Sequence, residues 1–371
     1  MATHVFIVND QTFKVHLEYM FAGTGAGEKL PSFLLEANSS YNASTERNLV
    51  GMIADISRLR AGDEVVFYLT GCAKFYGFFK VKKKAFADVT GAYLIENLGK
   101  RLTFRVLLEP DIVYADGVTE HEYLDNLDGI SAPYEMCWSL IYRKLKGNRG
   151  CTAIFNYEAT VLKRLIQNKN NYVALVGRSF SYDNVSDKIT ATALHNNYDG
   201  IIQSIAIKER LLNKANGKKA FEVHLQAFLM QHFEQLATVL NIPHDCWFAN
   251  EVSCGVGMQR IDIMTVSETT DTVDIKIIEL KHHIPSNDII QFQLPWYVKW
   301  CSDYVVPNFP NKRAVITPVV LAHIFNDNQS LIDFHTFADS RPLSAQNATI
   351  SPTQFVSFAF DKDNITFKKE F

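Results

Sequence analysis

What the sequence lacks already narrows its class. No uninterrupted run of about 18 apolar residues occurs, so no membrane-spanning helix is expected. The opening residues, 1–5, lack the basic and apolar regions of a signal peptide. The six cysteines lie far apart with no C-x-x-C pair, which disfavours both a structural zinc site and a disulfide framework. We therefore expect a cytoplasmic protein with free thiols and no membrane partner.

The sequence also lacks an excess of charge of one sign. Its formal net charge is −3 at pH 7, which does not by itself indicate binding to nucleic acid. Lysine and arginine cluster instead at 80–84, 143–149 and 214–219, and each cluster is either a solvated surface or a track for phosphates. The turn at 255–257 is not followed by a helix that begins with GK[ST], so no nucleotide cofactor is expected.

The length of 371 residues favours two domains rather than one. Residues 168–199 are rich in Asn, Ser and Asp and show no clear hydrophobic period, which is typical of a connection. We therefore predict a first domain over 1–170, a linker over 171–199 and a second domain over 200–371. In the first domain, the pattern predicts strands at 4–8, 64–69, 76–81 and 101–106 and helices at 49–60 and 157–167.

Two neighbouring strands in the second domain carry charge where apolar residues are expected. The strand over 260–264 places Asp262 between two isoleucines, and the strand over 274–281 ends in Glu279 and Lys281. Side chains two residues apart project from the same face of a strand, so Glu279 and Lys281 point the same way. Burying a carboxylate is unfavourable unless it is paired or binds a cation. This local conflict predicts a functional site.

A helix that precedes these strands offers a further carboxylate. Residues 220–229 have helical spacing, and Glu222 lies beside the apolar stripe that begins at Phe221. The alternative is a purely structural role, because the helix dipole stabilises an exposed glutamate near the N-terminus. His282 and His283 follow Lys281. Adjacent residues on a strand face opposite ways, so we interpret both histidines as surface or phosphate contacts.

The helical Glu222, the R-I-D-I-M strand and the I-I-E-L-K strand together resemble the PD-(D/E)XK nuclease superfamily, over about residues 221–297. The resemblance implies an α/β restriction-endonuclease-like domain, with a mixed central sheet flanked by helices. It also implies that Glu222, Asp262, Glu279 and Lys281 are catalytic. An E-x-K motif alone is common, but its combination with the apolar-flanked Asp262 and the upstream Glu222 is far more specific.

The resemblance further implies a metal ion and a division of roles. Asp262, Glu279 and the backbone carbonyl of Leu280 would coordinate Mg²⁺, with Mn²⁺ as a substitute, because these hard ions prefer oxygen ligands. Glu222 would bind the ion or a water molecule next to it. Lys281 would orient or deprotonate the attacking water and offset negative charge in the transition state. The pattern leaves open whether one or two ions take part.

A second motif follows the E-x-K strand. Gln293 and Tyr297 are spaced four apart, which places them on one face of a helix. This Q-x-x-x-Y looks like the additional motif of RecB-type and Mrr-type nucleases, and the arrangement as a whole is closest to the NucS-type catalytic domain. Pro295 departs from the pattern, since it would kink the helix or occupy its first turn. The alternative for Tyr297 is a place in an aromatic core.

The first domain is similar to the EVE and PUA-like small β-barrels, through the runs at 6–8, 61–68 and 77–81. This implies an α+β barrel that reads nucleic acid, and some members of that group take a modified base into an aromatic-lined pocket. The alternative is an ordinary barrel core behind an ordinary Gly-Asp turn. Candidate pocket walls are Trp138, Tyr142, Tyr68 and Tyr76, and candidate phosphate contacts are Arg143, Lys144, Lys146 and Arg149.

Taken together, the resemblances imply a metal-dependent endonuclease that hydrolyses phosphodiester bonds of double-stranded DNA. A DNA-recognition domain joined to a nuclease domain favours a restriction-type enzyme. Whether that enzyme requires a modified base in its DNA stays open. The NucS-like pattern favours the alternative of a repair nuclease for mismatches or branched DNA. A DNA-binding protein without catalysis is the second alternative. One active centre per chain predicts a homodimer if both strands are cut.

Overall fold

A computed structural model of the chain describes residues 1–25, 43–88, 94–124, 129–140, 150–194, 196, 198–199, 204–205, 207–217, 220–255, 259–282, 285, 289–323, 343–361 and 364–370. The chain forms two compact units. The first unit comprises 1–131 and 139–207, and the second comprises 132–138 and 208–371. The described part is mixed α/β, with a curled half-barrel sheet in the first unit and a mixed sheet with helices in the second. Among the described residues, no helix is long and apolar enough to cross a membrane.

The first unit is built on a curled eight-stranded sheet within the described residues, whose main path runs β2-β6-β4-β3-β1-β8. Its strands are β1 Thr3–Val8, β2 Phe21–Thr24, β3 Glu64–Leu69, β4 Lys74–Val81, β5 Phe86–Ala87, β6 Phe104–Pro110, β7 Val118–Thr119 and β8 Cys151–Ile154. Its helices are α1 Asp10–Tyr19, α2 Ala43–Ser57, α3 Ile95–Leu98, α4 Glu120–Leu124 and α5 Asn156–Lys169. The strands and helices predicted for the first 170 residues are present, but several ends shift, most of all the helix predicted over 49–60, which spans Ala43–Ser57.

A separate hairpin occupies the stretch that the sequence predicts to be a linker. Strands β9 Ser179–Asp183 and β10 Lys188–Thr192 pair antiparallel within the first unit. Phe180 and Tyr182 are buried, and Tyr182 packs against Phe13 of α1 with ring centroids 5.1 Å apart. The short alternation of aromatic and polar residues is therefore a half-buried strand rather than a connection.

The second unit is built on a mixed sheet of order β11-β12-β13-β14-β16-β17, with β15 beside β14. Its strands are β11 Trp247–Ser253, β12 Arg260–Glu268, β13 Thr272–Lys281, β14 Arg313–Ala322, β15 Ala348–Ile350, β16 Gln354–Asp361 and β17 Asn364–Lys369. Its helices are α6 Lys208–Asn216, α7 Glu222–Gln231, α8 Phe233–Leu240 and α9 Leu294–Trp300. Strands β11, β12 and β13 form an antiparallel meander, and β14 then runs parallel to β13.

The β12–β13 hairpin fixes the position of the charged residues. Thr269 N–H donates to the carbonyl of Thr272 at 2.9 Å across the tip, and Ile263 pairs with Ile278. Continuing this register by one residue places Asp262 directly opposite Glu279, so the two side chains project from one face of the sheet. The 17-residue spacing in the sequence is thus the spacing of cross-strand neighbours.

Candidate active site

The charged ends of β12 and β13 meet at one edge of the sheet, close to the start of α7. Lys281 Nζ donates to Glu279 Oε1 at 2.6 Å and to Glu222 Oε1 at 3.3 Å. The structure therefore brings Glu222, Glu279 and Lys281 together, as the sequence pattern predicts. The lysine is the contact between the helix and the strand, because its ammonium group binds a carboxylate from each.

Glu279 is buried in an apolar part of the sheet. Its residue is 2% exposed, and Ile277 and Leu280 beside it are buried as well. The Oε1 atom accepts from Lys281 and also from Gln293 Nε2 at 2.8 Å. The Oε2 atom is buried and has no hydrogen-bond partner among the described residues. A buried carboxylate oxygen without a donor is unfavourable, so a proton or a cation at Oε2 would be stabilising.

Asp262 is held at two points, its side-chain carboxylate and its backbone carbonyl. Its Oδ2 accepts the N–H of Leu280 at 2.8 Å, and its own carbonyl accepts from Gln226 Nε2 at 2.9 Å. Gln226 lies one turn after Glu222 on α7, so the same helix face that presents the glutamate also anchors strand β12. These contacts restrict the position of Asp262 relative to Glu279.

Burial and mutual repulsion disfavour two negative charges at this point. Burial raises the pKa of Asp262 well above its ordinary value, and the charge of Glu279 raises it further. Burial also raises the pKa of Glu279, although the neighbouring Lys281 opposes this. Burial alone would lower the pKa of Lys281, but the charges of Glu279 and Glu222 outweigh it, so that pKa is raised. A further cation beside the two carboxylates would stabilise both as anions.

The Q-x-x-x-Y motif lies at the same place. Residues Ile289–Gln293 form one π-helical turn, and α9 begins immediately after it with Pro295 in its first turn. Gln293 Nε2 donates to Glu279 Oε1 and, at 2.7 Å, to the Tyr297 hydroxyl, which in turn donates to the carbonyl of Arg260 at 2.8 Å. Proline is tolerated there because a first-turn N–H has no helical partner. Gln293 and Tyr297 therefore join the last helix to both acidic strands.

Two residues near Asp262, Glu251 and Gln226, are absent from the sequence-based prediction. The β11–β12 register, with Asn250 opposite Ile263, places Glu251 opposite Asp262. Glu251 has φ +53° inside a strand and its Oε2 binds Arg260 Nη1 at 2.6 Å. Gln226 Nε2 lies 3.4 Å from Glu251 Oε1. The left-handed backbone of Glu251 has no signal in the sequence.

Of the two histidines after Lys281, the structure describes the first. His282 Nδ1 lies 3.6 Å from Glu222 Oε2, so His282 reaches the same glutamate as Lys281 although the two residues are adjacent. Strand β13 ends at Lys281, and the alternation of side chains ends with it. His283 lies outside the described residues.

Two of the proposed base-pocket tyrosines lie in the core of the first unit. Tyr68 is 4% exposed and its hydroxyl donates to Glu120 Oε2 in a short hydrogen bond. Tyr76 is 1% exposed and donates to the carbonyl of Asp187 at 2.8 Å. Neither ring presents an open face. Both tyrosines therefore match the alternative given above, an ordinary barrel core.

Trp138 belongs to the second unit, outside the barrel to which the sequence assigns it. Its indole Nε1–H donates to the carbonyl of Pro133 at 2.9 Å, and its ring lies edge-on to Tyr304 with centroids 4.6 Å apart. The remaining candidates of the reader domain lie outside the described residues: Tyr142, Arg143, Lys144, Lys146 and Arg149.

The carboxylates of the site are few enough to suit only certain metal ions. Among the described residues, no group of three or more His, Cys, Asp or Glu side chains is arranged to hold a metal. Mg²⁺ commonly takes only one or two protein carboxylates and keeps water or substrate phosphate in its other positions. Asp262 and Glu279 fit that demand, since both offer carboxylate oxygens at one edge of the sheet and Glu279 keeps a buried oxygen without a hydrogen-bond donor among the described residues. Glu222, which binds Lys281, lies outside this two-carboxylate set.

In comparisons with known proteins, no protein-family model and no curated protein matches this chain.

Proposed function

We propose that this chain is a Mg²⁺-dependent DNA endonuclease with a PD-(D/E)XK-like catalytic unit. The observation that carries the proposal is the contact of Asp262 with the backbone of Leu280 between Glu279 and Lys281, with Lys281 bound to Glu279 at 2.6 Å. Two carboxylates and one ammonium at a sheet edge suit the hydrolysis of a phosphodiester, because its transition state is anionic. The mixed sheet order, with β13 antiparallel to β12 and parallel to β14, supports the same proposal.

Each residue has a defined role in this proposal. Asp262 and Glu279 would hold Mg²⁺ or Mn²⁺, and the bound ion would polarise the phosphoryl oxygen and lower the pKa of a water molecule. Lys281 orients the attacking water and balances charge on the phosphate. Glu222 fixes the ammonium group of Lys281 from the helix side, and Gln293 fixes the Oε1 atom of Glu279.

The biological role is proposed in two forms. A PUA-like or EVE-like first unit would make the protein a restriction-type enzyme that reads its site, modified or not, before the second unit cuts. Exposed aromatic residues next to the catalytic centre favour the other form, a repair nuclease for DNA that is mismatched or branched. For cutting both strands of a duplex, the chain would act as a two-fold dimer. A strict monomer in sedimentation, both free and on DNA, would favour nicking.

One panel of cleavage assays tests the proposal. Unmodified, methylated and mismatched duplexes are incubated with the full chain in Mg²⁺ and in excess EDTA. We expect cleavage of at least one substrate in Mg²⁺ and none in EDTA. Preference for the methylated duplex supports the restriction form, and preference for the mismatched duplex supports the repair form. Cleavage of none, or undiminished cleavage in EDTA, would overturn the proposal.

A further inference from the structure

Two large aromatic side chains beside the catalytic centre are exposed to solvent. Phe292 is 68% exposed and Trp296 is 44% exposed. Among the described residues of the second unit, these are the two large apolar side chains with such exposure. They stand immediately before Gln293 and Tyr297 respectively, and those two residues hold Glu279 and the Arg260 carbonyl. In the sequence, each exposed ring is therefore directly next to a residue that contacts the candidate site.

The aromatic pair is carried on a defined surface. Trp296 lies against the turn after β11, since a Cβ atom at Gly255 would be 3.4 Å from Trp296 Cζ2. Ser253, two residues before Gly255, pairs with Arg260 of β12, and Asp262 follows two residues later on that strand. The ring of Trp296 thus lies near the same sheet edge as the catalytic residues.

Cations accompany the two rings. Phe292, Trp296 and Lys299 follow a spacing of four and three, which is one face of a helical segment. The Lys299 side chain is 64% exposed, and Arg260, at the start of β12, is 48% exposed. Both cations also have carboxylate partners, Asp303 for Lys299 and Glu251 for Arg260. Flat apolar faces interleaved with cations are the arrangement that single-stranded nucleic acid binds, by stacking of bases and pairing of phosphates.

A second protein molecule fits this surface less well. A stable protein interface buries about 800 Å² on each partner, with several apolar residues in its centre. Within the described part of the second unit, no further exposed large apolar side chain extends the pair. Two rings of this size match two unstacked bases better than they match a protein interface.

We propose that Phe292 and Trp296 form a stacking platform for unpaired nucleobases, so that the substrate is DNA with an unpaired nucleotide beside the scissile phosphate. This inference rests on the proposed endonuclease function and names its substrate class. Stacking acts on any base, because every base has a flat π face. The platform therefore selects the structure of the DNA rather than its sequence.

Fluorescence anisotropy in EDTA, where the proposed cleavage is blocked, tests the platform with the full chain. The probes are a fully paired duplex, the same duplex with a central mismatch bubble, and a single strand. We expect Trp296→Ala to weaken binding to the bubble and the single strand by about tenfold or more, with little change for the paired duplex. Trp296→Phe, which keeps a flat ring, should retain most of the affinity.

Two further variants provide controls. Tyr172→Ala removes an aromatic residue of the first unit that is 66% exposed, and it should bind all three probes like the wild type. Lys299→Ala should weaken binding to all three probes and reduce the salt dependence. A 2-aminopurine base in the bubble should be quenched by the wild type and not by Trp296→Ala.

Several outcomes would overturn the inference. They are equal affinity of Trp296→Ala and wild type for the bubble, an equal loss on all three probes, or a change from dimer to monomer in sedimentation. The last result would assign the pair to self-association. If the chain cleaves DNA but Trp296→Ala has no selective effect, only the platform is wrong. If the chain neither binds nor cleaves any DNA, the endonuclease function itself is wrong.

Discussion

The Asp262 carboxylate accepts the backbone N–H of Leu280 at 2.8 Å, and Leu280 lies between Glu279 and Lys281. One hydrogen bond thus ties the acidic residue of β12 to the middle of the E-x-K motif on β13. The bond has a structural and a chemical consequence. It satisfies a backbone donor at the end of the hairpin, and it leaves the other carboxylate oxygen of Asp262 for a different partner.

Substitutions of Asp262 separate its structural role, accepting the Leu280 N–H, from its proposed role in binding a metal ion. Asp262→Asn keeps an oxygen that can accept from Leu280, so we expect the fold to be retained while cleavage falls by at least about a thousandfold, in the range of removing a principal electrostatic group. Asp262→Ala should lose cleavage as well, and it should lose about 1–3 kcal/mol of stability because the N–H is left unpaired. Cleavage rates and thermal unfolding of both variants check this. Wild-type cleavage by Asp262→Asn would refute the metal-binding role.

The proposal gives Lys281 a role distinct from that of the carboxylates. We expect Lys281→Ala to abolish cleavage, because the attacking water loses the group that positions it. Binding of Mn²⁺, measured by calorimetry, should survive, because the two carboxylates remain. Lys312→Ala, which removes a lysine paired with Glu268 at 3.0 Å on the same unit, is the matched control and should cleave normally. Cleavage by Lys281→Ala at the wild-type rate would contradict the assignment.

Tyr297 acts through the residues that it holds. Tyr297→Phe removes the hydroxyl that accepts from Gln293 and donates to the Arg260 carbonyl. We expect kcat to fall by about tenfold with KM little changed, because Gln293 loses a fixed position beside Glu279. Gln293→Ala should have a similar effect, and the double variant should be no worse than the more affected single one, since the residues form one network. Fully additive losses would show that they act independently.

The first unit should lose stability in mild acid through His16. This residue is 1% exposed, lies in the aromatic core with its ring 5.4 Å from that of Phe67, and has no hydrogen-bond partner for either ring nitrogen among the described residues. Burial, followed by the charges of Arg105 and Lys100, lowers its pKa from 6.5 to about 3. Because the pKa of His16 is lower in the folded state than in the unfolded state, neutral His16 contributes its full stabilisation above pH 6.5. That stabilisation is lost as the pH falls toward 3.

The size of this effect follows from the shift. At pH 5, protonation of His16 in the unfolded chain costs about 2 kcal/mol of stability. We expect His16→Phe to flatten the fall in stability between pH 7 and about pH 5, as measured by urea unfolding at each pH. An unchanged slope in His16→Phe would show that another group controls the acid sensitivity.

Much of the geometry of the candidate site could be predicted from sequence because it depends on local rules. The tip at Thr269 and Thr272 sets the hairpin register, and the register makes Asp262 the neighbour of Glu279. Strand alternation places Lys281 with Glu279, and helical spacing places Gln293 with Tyr297. Each of these relationships involves a few residues and one regular geometry.

Other features escaped prediction because distant contacts decide them. Glu251 joins the site through a left-handed backbone that no residue type at that position signals. Trp138 packs against Tyr304, which is far away in the sequence, and so it belongs to the second unit. The β9–β10 hairpin is rich in polar residues, and only its packing of Tyr182 on Phe13 identifies it as structure. Composition alone could not reveal these contacts.

The most direct test compares wild type, Glu279→Gln and Asp274→Asn on supercoiled plasmid and on a mismatched duplex, in Mg²⁺ and in EDTA. Glu279→Gln alters the carboxylate that Lys281 and Gln293 bind, whereas Asp274→Asn alters a carboxylate five residues earlier on the same strand, paired with Lys276. The endonuclease proposal predicts Mg²⁺-dependent cleavage by wild type and Asp274→Asn, and none by Glu279→Gln even though it still binds the DNA. Cleavage by Glu279→Gln at the wild-type rate, or cleavage by none of the three proteins, would contradict it.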